Sequence, residues 1–292
     1  MELTIEGISK NFKDKNVLKE INIKLENGVY GLLGPNGVGK TTLIRILADI
    51  LEPSKGNVFI DGENKRTCGD EYRSKIGYLP QEISFYSDFT GLDYLQYVSA
   101  LKGLSKNQAK NKIDELVQSV GLQDDLKRKA ITYSGGMKRR LGIAQALLNE
   151  PKVLILDEPT AGLDPYECIK FRNIISAFSK DRLVLLSTHI VSDVDCIAKQ
   201  IMMMENGKID RKATAEEYIK SMEGCVWICE LPMDKLVEFQ KKAVISNVIP
   251  KGNKMEIRVI DEKKPISNAV PAIPNMEDVY LYVFNYLSGR DA

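Results

Sequence analysis

The sequence predicts an α/β fold whose centre is a parallel β-sheet covered by helices. Two apolar runs, Val153–Leu156 and Leu183–Leu186, do not alternate with polar residues, which is typical of strands buried on both faces. A glycine-rich segment, residues 34–42, lies between a third apolar run and a helical pattern. With 292 residues and 43% hydrophobic content, the chain can form a large core in one or two domains.

Bulk composition narrows the classes of protein. The formal net charge is only +1, so we expect no nucleic-acid partner. The five cysteines are scattered without a Cys-x-x-Cys pair, which favours reduced thiols in the cytoplasm. No apolar run approaches the ~20 residues of a membrane-spanning helix, and residues 1–4 lack the order of a signal peptide. Any membrane part is therefore expected on another chain.

The first 80 residues predict strands around one helix. Leu3 and Ile5 alternate with polar residues, as do Ile21, Ile23 and Leu25, which fits half-buried strands of an antiparallel β-subdomain. Further strands are predicted at Val29–Leu33, Asn57–Asp61 and Ile76–Leu79, and a helix at Lys40–Ile50.

Residues 83–150 predict a helical subdomain. Thr90 and Ser105 each begin a capping box, the side-chain pattern that starts a helix. Gly121 suits the end of the second helix. Another helix follows Ser134, with Leu141 and Ala144 on its apolar face.

A domain boundary is expected near the polar stretch Asp210–Glu216, giving domains at 1–212 and 213–292. The second domain is predicted to be a small α/β appendage. Its expected elements are a strand (Val226–Leu231), a helix (Met233–Lys242), two strands (Val244–Ile249 and Lys254–Ile260) and a final helix.

The glycine-rich segment fits the full phosphate-loop pattern, Gly-x-x-x-x-Gly-Lys-Thr, directly after a strand and before a helix. Its backbone N–H groups and the helix N-terminus can bind phosphate oxygens. Lys40 is expected to reach the β- and γ-phosphates, and the Thr41 hydroxyl to ligate Mg²⁺. A P-loop NTPase core is therefore predicted. Its candidate nucleotide-binding residues are Gly34, Pro35, Asn36, Gly37, Val38, Gly39, Lys40, Thr41 and Thr42.

Two acids, Asp157 and Glu158, end the first buried apolar strand. Because open α/β sheets bind ligands at the carboxyl ends of their strands, both acids are expected near the phosphates. Asp157 is the candidate for holding Mg²⁺. Glu158 is placed to orient and deprotonate the attacking water. The alternative, that one acid only caps the next helix, is disfavoured because Asp-Glu follows four aliphatic residues in a chain that already has the phosphate loop.

Two further polar residues follow strands. His189, the single histidine, comes after Leu183–Leu186 and could donate to a γ-phosphate, although a lone histidine is commonly structural. Gln81 follows the strand Ile76–Leu79. Its amide could contact Mg²⁺ and water, but its spacing alone is a weak signal.

The segment Ser134-Gly135-Gly136 begins a helix. Its hydroxyl, bare N–H groups and helix dipole make a second anion site. Taken alone, this segment is also what an ordinary helix N-cap looks like.

In this order, the motifs resemble the nucleotide-binding domain of an ABC transporter over roughly residues 2–210. The resemblance implies that Ser134, Gly135 and Gly136 of one copy bind the ATP held by another copy. It implies that Asp164 lies in a segment crossing the dimer interface, and that Gln81 links the nucleotide to a membrane partner. Phe12 takes the position of an aromatic residue that stacks on adenine, with a core aromatic as the alternative.

The Ser-Gly-Gly segment lies in the motif that serves as the family's signature. Here this signature reads Tyr133-Ser-Gly-Gly-Met137 instead of the commoner Leu-Ser-Gly-Gly-Gln. This variant, and the tail segment Pro274–Tyr280, resemble ATPase subunits of bacterial exporters with separate membrane chains. The resemblance implies a cytoplasmic ATPase, peripheral on the inner face of the cell membrane. It would bind ATP and Mg²⁺, form a homodimer or a dimer with a similar subunit, and drive export through a polytopic membrane subunit.

Two other functions are weighed. A soluble ABC-type ATPase not coupled to transport, of the cofactor-assembly or ribosome-associated kind, remains an alternative. Ribosome-associated members usually carry two such domains in one chain, and here there is one. A GTP switch is disfavoured because Asn64-Lys65-Arg66-Thr67 lacks the acid of the base-specifying element.

Overall fold

The structure, a computed structural model, describes residues 1–13 and 15–287. The chain divides into two units, Met1–Arg211 and a second that begins at Lys212. The strands are β1 (Glu2–Phe12), β2 (Lys15–Glu26), β3 (Gly28–Leu33), β4 (Lys55–Ile60), β5 (Glu63–Asn64), β6 (Ile76–Leu79), β7 (Val153–Asp157), β8 (Leu183–Thr188), β9 (Gln200–Glu205), β10 (Lys208–Ala213), β11 (Val226–Pro232), β12 (Val244–Lys251), β13 (Lys254–Ile260) and β14 (Val270–Pro271). The helices are α1 (Lys40–Leu47), α2 (Lys65–Ser74), α3 (Gly91–Leu101), α4 (Lys106–Val120), α5 (Gly135–Leu147), α6 (Pro165–Phe178), α7 (Ala215–Lys220), α8 (Leu236–Gln240) and α9 (Met276–Leu281).

A six-stranded sheet, in the order β10-β9-β3-β8-β7-β6, confirms the predicted parallel core. β3, β8, β7 and β6 pair in parallel, so their carboxyl ends meet at one edge. Every residue of β7 and β8 is buried, which is why neither strand alternates apolar with polar residues. This edge receives the segments that follow β3, β6, β7 and β8, where the sequence places its candidate site residues.

The antiparallel subdomain is a four-stranded sheet in the order β2-β1-β4-β5. Leu3, Ile5 and Ile21 on its inner face are at most 2% exposed and join the core that also contains residues of the parallel sheet. The alternation of apolar and polar residues therefore predicted both strands and their buried face.

The predicted helix Lys40–Ile50 ends early, and this prediction was wrong by three residues. α1 stops at Leu47, because Asp49 takes a left-handed backbone with φ 58°. Its carboxylate accepts a hydrogen bond from Lys65 Nζ at 2.8 Å, and Ile50 is 58% exposed. The turn thus places Asp49 against the buried ammonium of Lys65 instead of extending the helix.

The helical subdomain contains α3, α4 and α5. Thr90 and Ser105 form the predicted capping boxes with Asp93 and Gln108, and Gly121 ends α4 with a left-handed φ of 65°. The expected helix starts are therefore confirmed.

Two helices of the first unit, α2 and α6, were not expected. α2 contains Gly69 in a non-helical conformation and buries only Lys65 and Tyr72, so its sequence shows no helical apolar period. α6 buries only Phe171 and Ile175. Each helix presents so narrow an apolar stripe that its sequence alone does not reveal it.

The second unit is built on an antiparallel sheet in the order β12-β13-β11-β14. Alternate residues of β11 and β13, including Cys229, Ile257 and Val259, form its core. The predicted helix Met233–Lys242 is replaced by a short 3₁₀ turn followed by the five-residue α8. The final helix begins as α9, and Tyr282–Leu287 continues it with π-helical geometry.

A buried ion pair fixes the final helix onto this sheet. Asp278 is 0% exposed and accepts hydrogen bonds from Arg258 Nε and Nη2 at 2.9 and 2.6 Å and from Ser246 Oγ at 2.8 Å. It also accepts from the Asn275 N–H, completing a capping box. Burial alone would raise the pKa of Asp278, but these hydrogen bonds outweigh burial and hold the pKa below its usual value.

We expect Asp278→Ala to destabilise the second unit by about 3 kcal/mol, because Arg258, whose side chain is only 20% exposed, would keep its charge without a partner. Trp227 of β11 is the single tryptophan of the chain, so its fluorescence during urea unfolding reports on this unit. The wild-type unit should also lose stability in acid, as the pH falls through the depressed pKa of Asp278. Glu277→Ala is the control, because Glu277 is an exposed acid in the same helical turn. Equal unfolding midpoints for the two variants would contradict the proposed anchor.

Candidate functional site

The phosphate loop joins β3 to α1 and owes its shape to its glycines. Gly37 and Gly39 have φ values of 84° and 114°, which side chains with a Cβ rarely adopt. A Cβ on Gly34 would lie 2.5 Å from the Met204 carbonyl oxygen. The loop can therefore run close to β9 while its backbone turns sharply into α1.

Lys40, the first residue of α1, is buried at this loop with only 4% exposure. Its Nζ donates to the carbonyl oxygens of Gly34 at 2.7 Å and Pro35 at 3.0 Å, and lies 3.7 Å from Glu158 Oε1. Burial lowers the pKa of Lys40, and the charges of Glu158 and Asp157 partly offset that effect. The loop thus holds a cation directly beside the two acids.

Asp157, the last residue of β7, is 1% exposed. Its Oδ1 accepts hydrogen bonds from Ser187 Oγ at 2.6 Å and Thr41 Oγ1 at 3.2 Å. Its Oδ2 is buried without a hydrogen-bond partner among residues 1–13 and 15–287. Burial raises the pKa of Asp157, against the hydrogen bonds from Ser187 and Thr41.

A buried carboxylate oxygen without a donor suits a hard cation, because such an oxygen needs positive charge to offset its desolvation. The neighbouring Thr41 hydroxyl supplies a second oxygen ligand of the kind that Mg²⁺ accepts. These donors therefore fit Mg²⁺ with the remaining positions left to water and phosphate.

Glu158 is 7% exposed and has a left-handed backbone with φ 45°. Its N–H lies 3.0 Å from the Ser187 carbonyl oxygen and 3.2 Å from Ser187 Oγ. Gln81 Nε2 donates to its Oε2 at 3.3 Å. His189 Nδ1 lies 3.3 Å from its Oε1, although the orientation is not that of a hydrogen bond. Glu158 is thus the carboxylate on which Lys40, Gln81 and His189 converge.

Lys40, Gln81 and Glu158 line a cleft of about 260 Å³, whereas Asp157 and His189 contact the lining residues without belonging to it. Its lining consists of Val17, Asn36, Gly37, Gly39, Lys40, Thr41, Thr42, Gln81 and Glu158. The structure therefore brings together the residues that follow β3, β6 and β7. Within the part of the chain that is described, Phe12, Ser134–Gly136 and Asp164 do not line this cleft.

Phe12 lies at the end of β1 and is 46% exposed. The alternative interpretation as a core aromatic is therefore wrong. Lys10 Nζ lies 5.0 Å from its ring centroid, a favourable cation–π distance. The ring is accessible at the surface, as stacking on a base requires.

Ser134 and Gly135 are exposed at the start of α5, where Ser134 Oγ accepts a hydrogen bond from the Met137 N–H at 3.2 Å. Tyr133 has a structural role, since it is 4% exposed and its hydroxyl donates to the Asp125 carbonyl oxygen at 2.7 Å. The tyrosine at the start of the signature thus joins this helix to the loop after α4. Asp164 is likewise exposed and caps α6 by accepting from the Glu167 N–H at 2.9 Å.

Ser187 is a site residue that sequence reasoning missed. It is fully buried in β8 and contacts both acids of β7, through Asp157 Oδ1 and the Glu158 N–H. The available signal was a hydroxyl residue at the carboxyl end of a strand that is otherwise apolar. Its pairing opposite Asp157 in the sheet was not deducible from spacing.

Comparison with known proteins decides the family. Residues 18–161 match the family described as ABC transporter. The ABC transporter ATP-binding protein YxlF of Bacillus subtilis is 34% identical in an alignment that covers 96% of this chain and 99% of that protein. The chain belongs to the ATP-binding proteins of ABC transporters.

Two further comparisons extend this result. The bacitracin transport ATP-binding protein BcrA of Bacillus licheniformis is 37% identical over 205 residues, which is 69% of this chain and 66% of that protein. A solved ATP-binding subunit of an ABC transporter is 26% identical with a TM-score of 0.69, covering 76% of this chain and 93% of its own. The resemblance in sequence is thereby confirmed, and this ABC protein is an ATP-binding subunit and an ATPase. None of its described helices has the length and apolar character needed to cross a membrane.

We expect Ser187→Ala to weaken divalent-cation binding by about 10- to 100-fold, the usual effect of removing a residue that orients a metal ligand. Without the Ser187 hydrogen bond the pKa of Asp157 should rise further, so protons should displace the metal at a higher pH than in the wild type. Mn²⁺ titration of the protein monitored by electron paramagnetic resonance, without ATP because ATP itself chelates Mn²⁺, measures this affinity without relying on turnover. Ser99→Ala is the control, because Ser99 is an equally buried serine in α3. Equal affinities in the two variants would argue against this role of Ser187.

Proposed function

We propose that this subunit hydrolyses Mg²⁺-ATP between two ATPase subunits and thereby drives export through a polytopic membrane chain. It would act in the cytoplasm, held at the inner face of the membrane by that partner. The observation that carries the proposal is the convergence of Lys40, Gln81 and His189 on the carboxylate of Glu158.

The phosphates of ATP are assigned to the loop Gly34–Thr42. Its N–H groups and the N-terminus of α1 supply positive potential, and Lys40 supplies the charge for the β- and γ-phosphates. Thr41 and Asp157, with the amide of Gln81, would hold Mg²⁺. When bound, Mg²⁺ would neutralise charge on the β- and γ-phosphates.

Glu158 is assigned the general base. Its buried carboxylate lies beside Lys40, so it borders the position that the γ-phosphate would take. Hydrolysis needs a group that orients water in line with the leaving oxygen and accepts its proton. Gln81 would hold the same water, and His189 would donate to the γ-phosphate.

The proposed dimer is supported by the position of Ser134–Gly136, which lie outside the nucleotide cleft of their own chain. In the described part of the chain, Ser134–Gly136 form a helix start that does not line the Lys40 cleft. Apart from Gly135, its chain neighbours and the nearby backbone of its own helix, no described atom lies within 4 Å of where a Cβ on Gly135 would be. A bare, exposed anion-binding helix start fits ATP held by a second copy. Asp164, which is exposed, would contact that second copy. Phe12, also exposed, would contact the adenine ring.

We expect Glu158→Gln to abolish turnover but retain ATP binding, so that ATP gives a stable dimer in size-exclusion chromatography with light scattering. Adding Gly135→Asp should abolish the dimer while the monomer still binds ATP, because an acid there would face phosphate across the interface. Asn107→Asp, which adds the same charge in the first turn of α4, should leave the dimer intact. Brisk hydrolysis by Glu158→Gln would sink the general-base assignment, and a dimer in the Gly135→Asp variant would sink the shared site.

The membrane partner is assigned to an exposed aromatic surface after Gln81. We define the aromatic cluster as the three mutually contacting rings of Tyr86, Phe89 and Tyr97. Tyr86 and Tyr97 are 59% and 40% exposed, with ring centroids 5.8 Å apart. Exposed aromatic groups of this kind are typical of protein interfaces. Since Gln81 contacts Glu158, a partner bound here can respond to the nucleotide.

We expect Tyr86→Ser with Tyr97→Ser to reduce co-purification with the proposed polytopic membrane partner, when the two chains are co-expressed. The matched control is Ile50→Ser, which changes an apolar side chain with 58% exposure on another surface. Undiminished co-purification would remove the aromatic cluster from the interface. Failure of the wild type to co-purify with any membrane chain would instead favour the soluble cofactor-assembly alternative.

Export as the direction of transport draws support from BcrA and from the daunorubicin resistance protein DrrA3 of Streptomyces coeruleorubidus. Both are similar proteins whose names refer to antibiotics.

A further inference from the structure

Another buried acid, Asp193, lies outside the lining of the nucleotide cleft. It is 4% exposed and follows His189 in a short 3₁₀ turn, Val191–Asp193. Its Oδ2 accepts hydrogen bonds from the hydroxyls of Thr160 and Thr188. Both threonines are also buried, at 3% and 1% exposure. A buried carboxylate is stable only with such donors, so the three side chains form one unit.

The three side chains belong to two different segments of the site. Thr160 follows Glu158 by two residues, in the segment that leads to Asp164. Thr188 ends β8 directly before His189, and its hydroxyl also accepts the Ile190 N–H at 2.9 Å, which fixes the turn that carries His189. Asp193 therefore joins the segment of the proposed base to the segment of the histidine.

The Asp193 turn is itself fixed on the sheet. Val194 is fully buried, and a Cβ on Gly31 would lie 2.5 Å from Val194 Cγ1. The turn thus packs closely on β3, the strand that leads into the phosphate loop. Glu158 and His189, whose Oε1 and Nδ1 lie 3.3 Å apart, belong to the two segments that Asp193 joins.

We propose that Asp193 is a positioning residue for ATP hydrolysis: through the Thr160 and Thr188 hydroxyls it holds Glu158 and His189 at the separation that the reaction needs. The inference rests on the proposed roles of these two residues. Asp193 itself does not touch the nucleotide cleft. It therefore affects the rate of the chemical step and leaves ATP binding by the phosphate loop unchanged.

The test is a comparison of kcat and KM for ATP in the full chain. Asp193→Ala should lower kcat by about 10- to 100-fold, the range that follows from misplacing catalytic groups, with little change in KM. Asp193→Asn, which keeps an acceptor oxygen without its charge, should give an intermediate rate. Asp195→Ala, the removal of an exposed acid two residues away, should match the wild type.

A double-mutant cycle separates positioning from general destabilisation. Thr160→Val removes one hydroxyl at nearly constant volume, so it tests the proposal even if Asp193→Ala fails to fold. It should lower kcat in the wild type, lower it less in Asp193→Asn, which keeps part of the contact, and cause no further loss in Asp193→Ala. Three results would each overturn the inference. They are equal kcat in Asp193→Ala and Asp195→Ala, additive losses of kcat in the cycle, and equal falls in kcat and ATP affinity. Glu158→Gln, assayed in the same experiment, separates this inference from the proposed function. If Glu158→Gln is inactive and Asp193→Ala is fully active, the positioning role of Asp193 is wrong while the general-base role of Glu158 stands.

Discussion

The site depends on the hydrogen bonds that Ser187 forms between the carboxyl ends of β7 and β8. Ser187 is paired with Asp157 in the parallel sheet, and its hydroxyl donates to that carboxylate while its carbonyl receives the Glu158 N–H. One buried serine thus orients the first acid and anchors the backbone of the second. Because the backbone of Glu158 is left-handed, its side chain turns from the strand direction toward Lys40.

Sequence reasoning succeeded where one segment carries its own signal. The phosphate loop, the buried runs of β7 and β8, and the capping boxes of Thr90 and Ser105 are local patterns, and the structure has each of them in place. It failed where the signal is distributed. Ser187 and Asp193 acquire their roles only when strands distant in sequence become neighbours, and α2 buries too few apolar side chains to show a period.

The tail segment Pro274–Tyr280 gains a physical explanation. Asn275 and Asp278 form a capping box, and Asp278 also neutralises Arg258 from β13. A short acidic motif at a helix start therefore does two tasks, since it begins the helix and fixes it on the sheet. A resemblance in such a motif reflects how the second unit folds and carries no information about cargo.

The contact between Tyr133 and Gly91 constrains how this signature can evolve. A Cβ on residue 91 would lie 2.3 Å from the Tyr133 hydroxyl, so any larger residue at 91 excludes tyrosine at 133 in this conformation. Glycine at 91 and tyrosine at 133, whose hydroxyl holds the Asp125 carbonyl, are therefore structurally coupled: the residue at one position limits what the other position can accommodate.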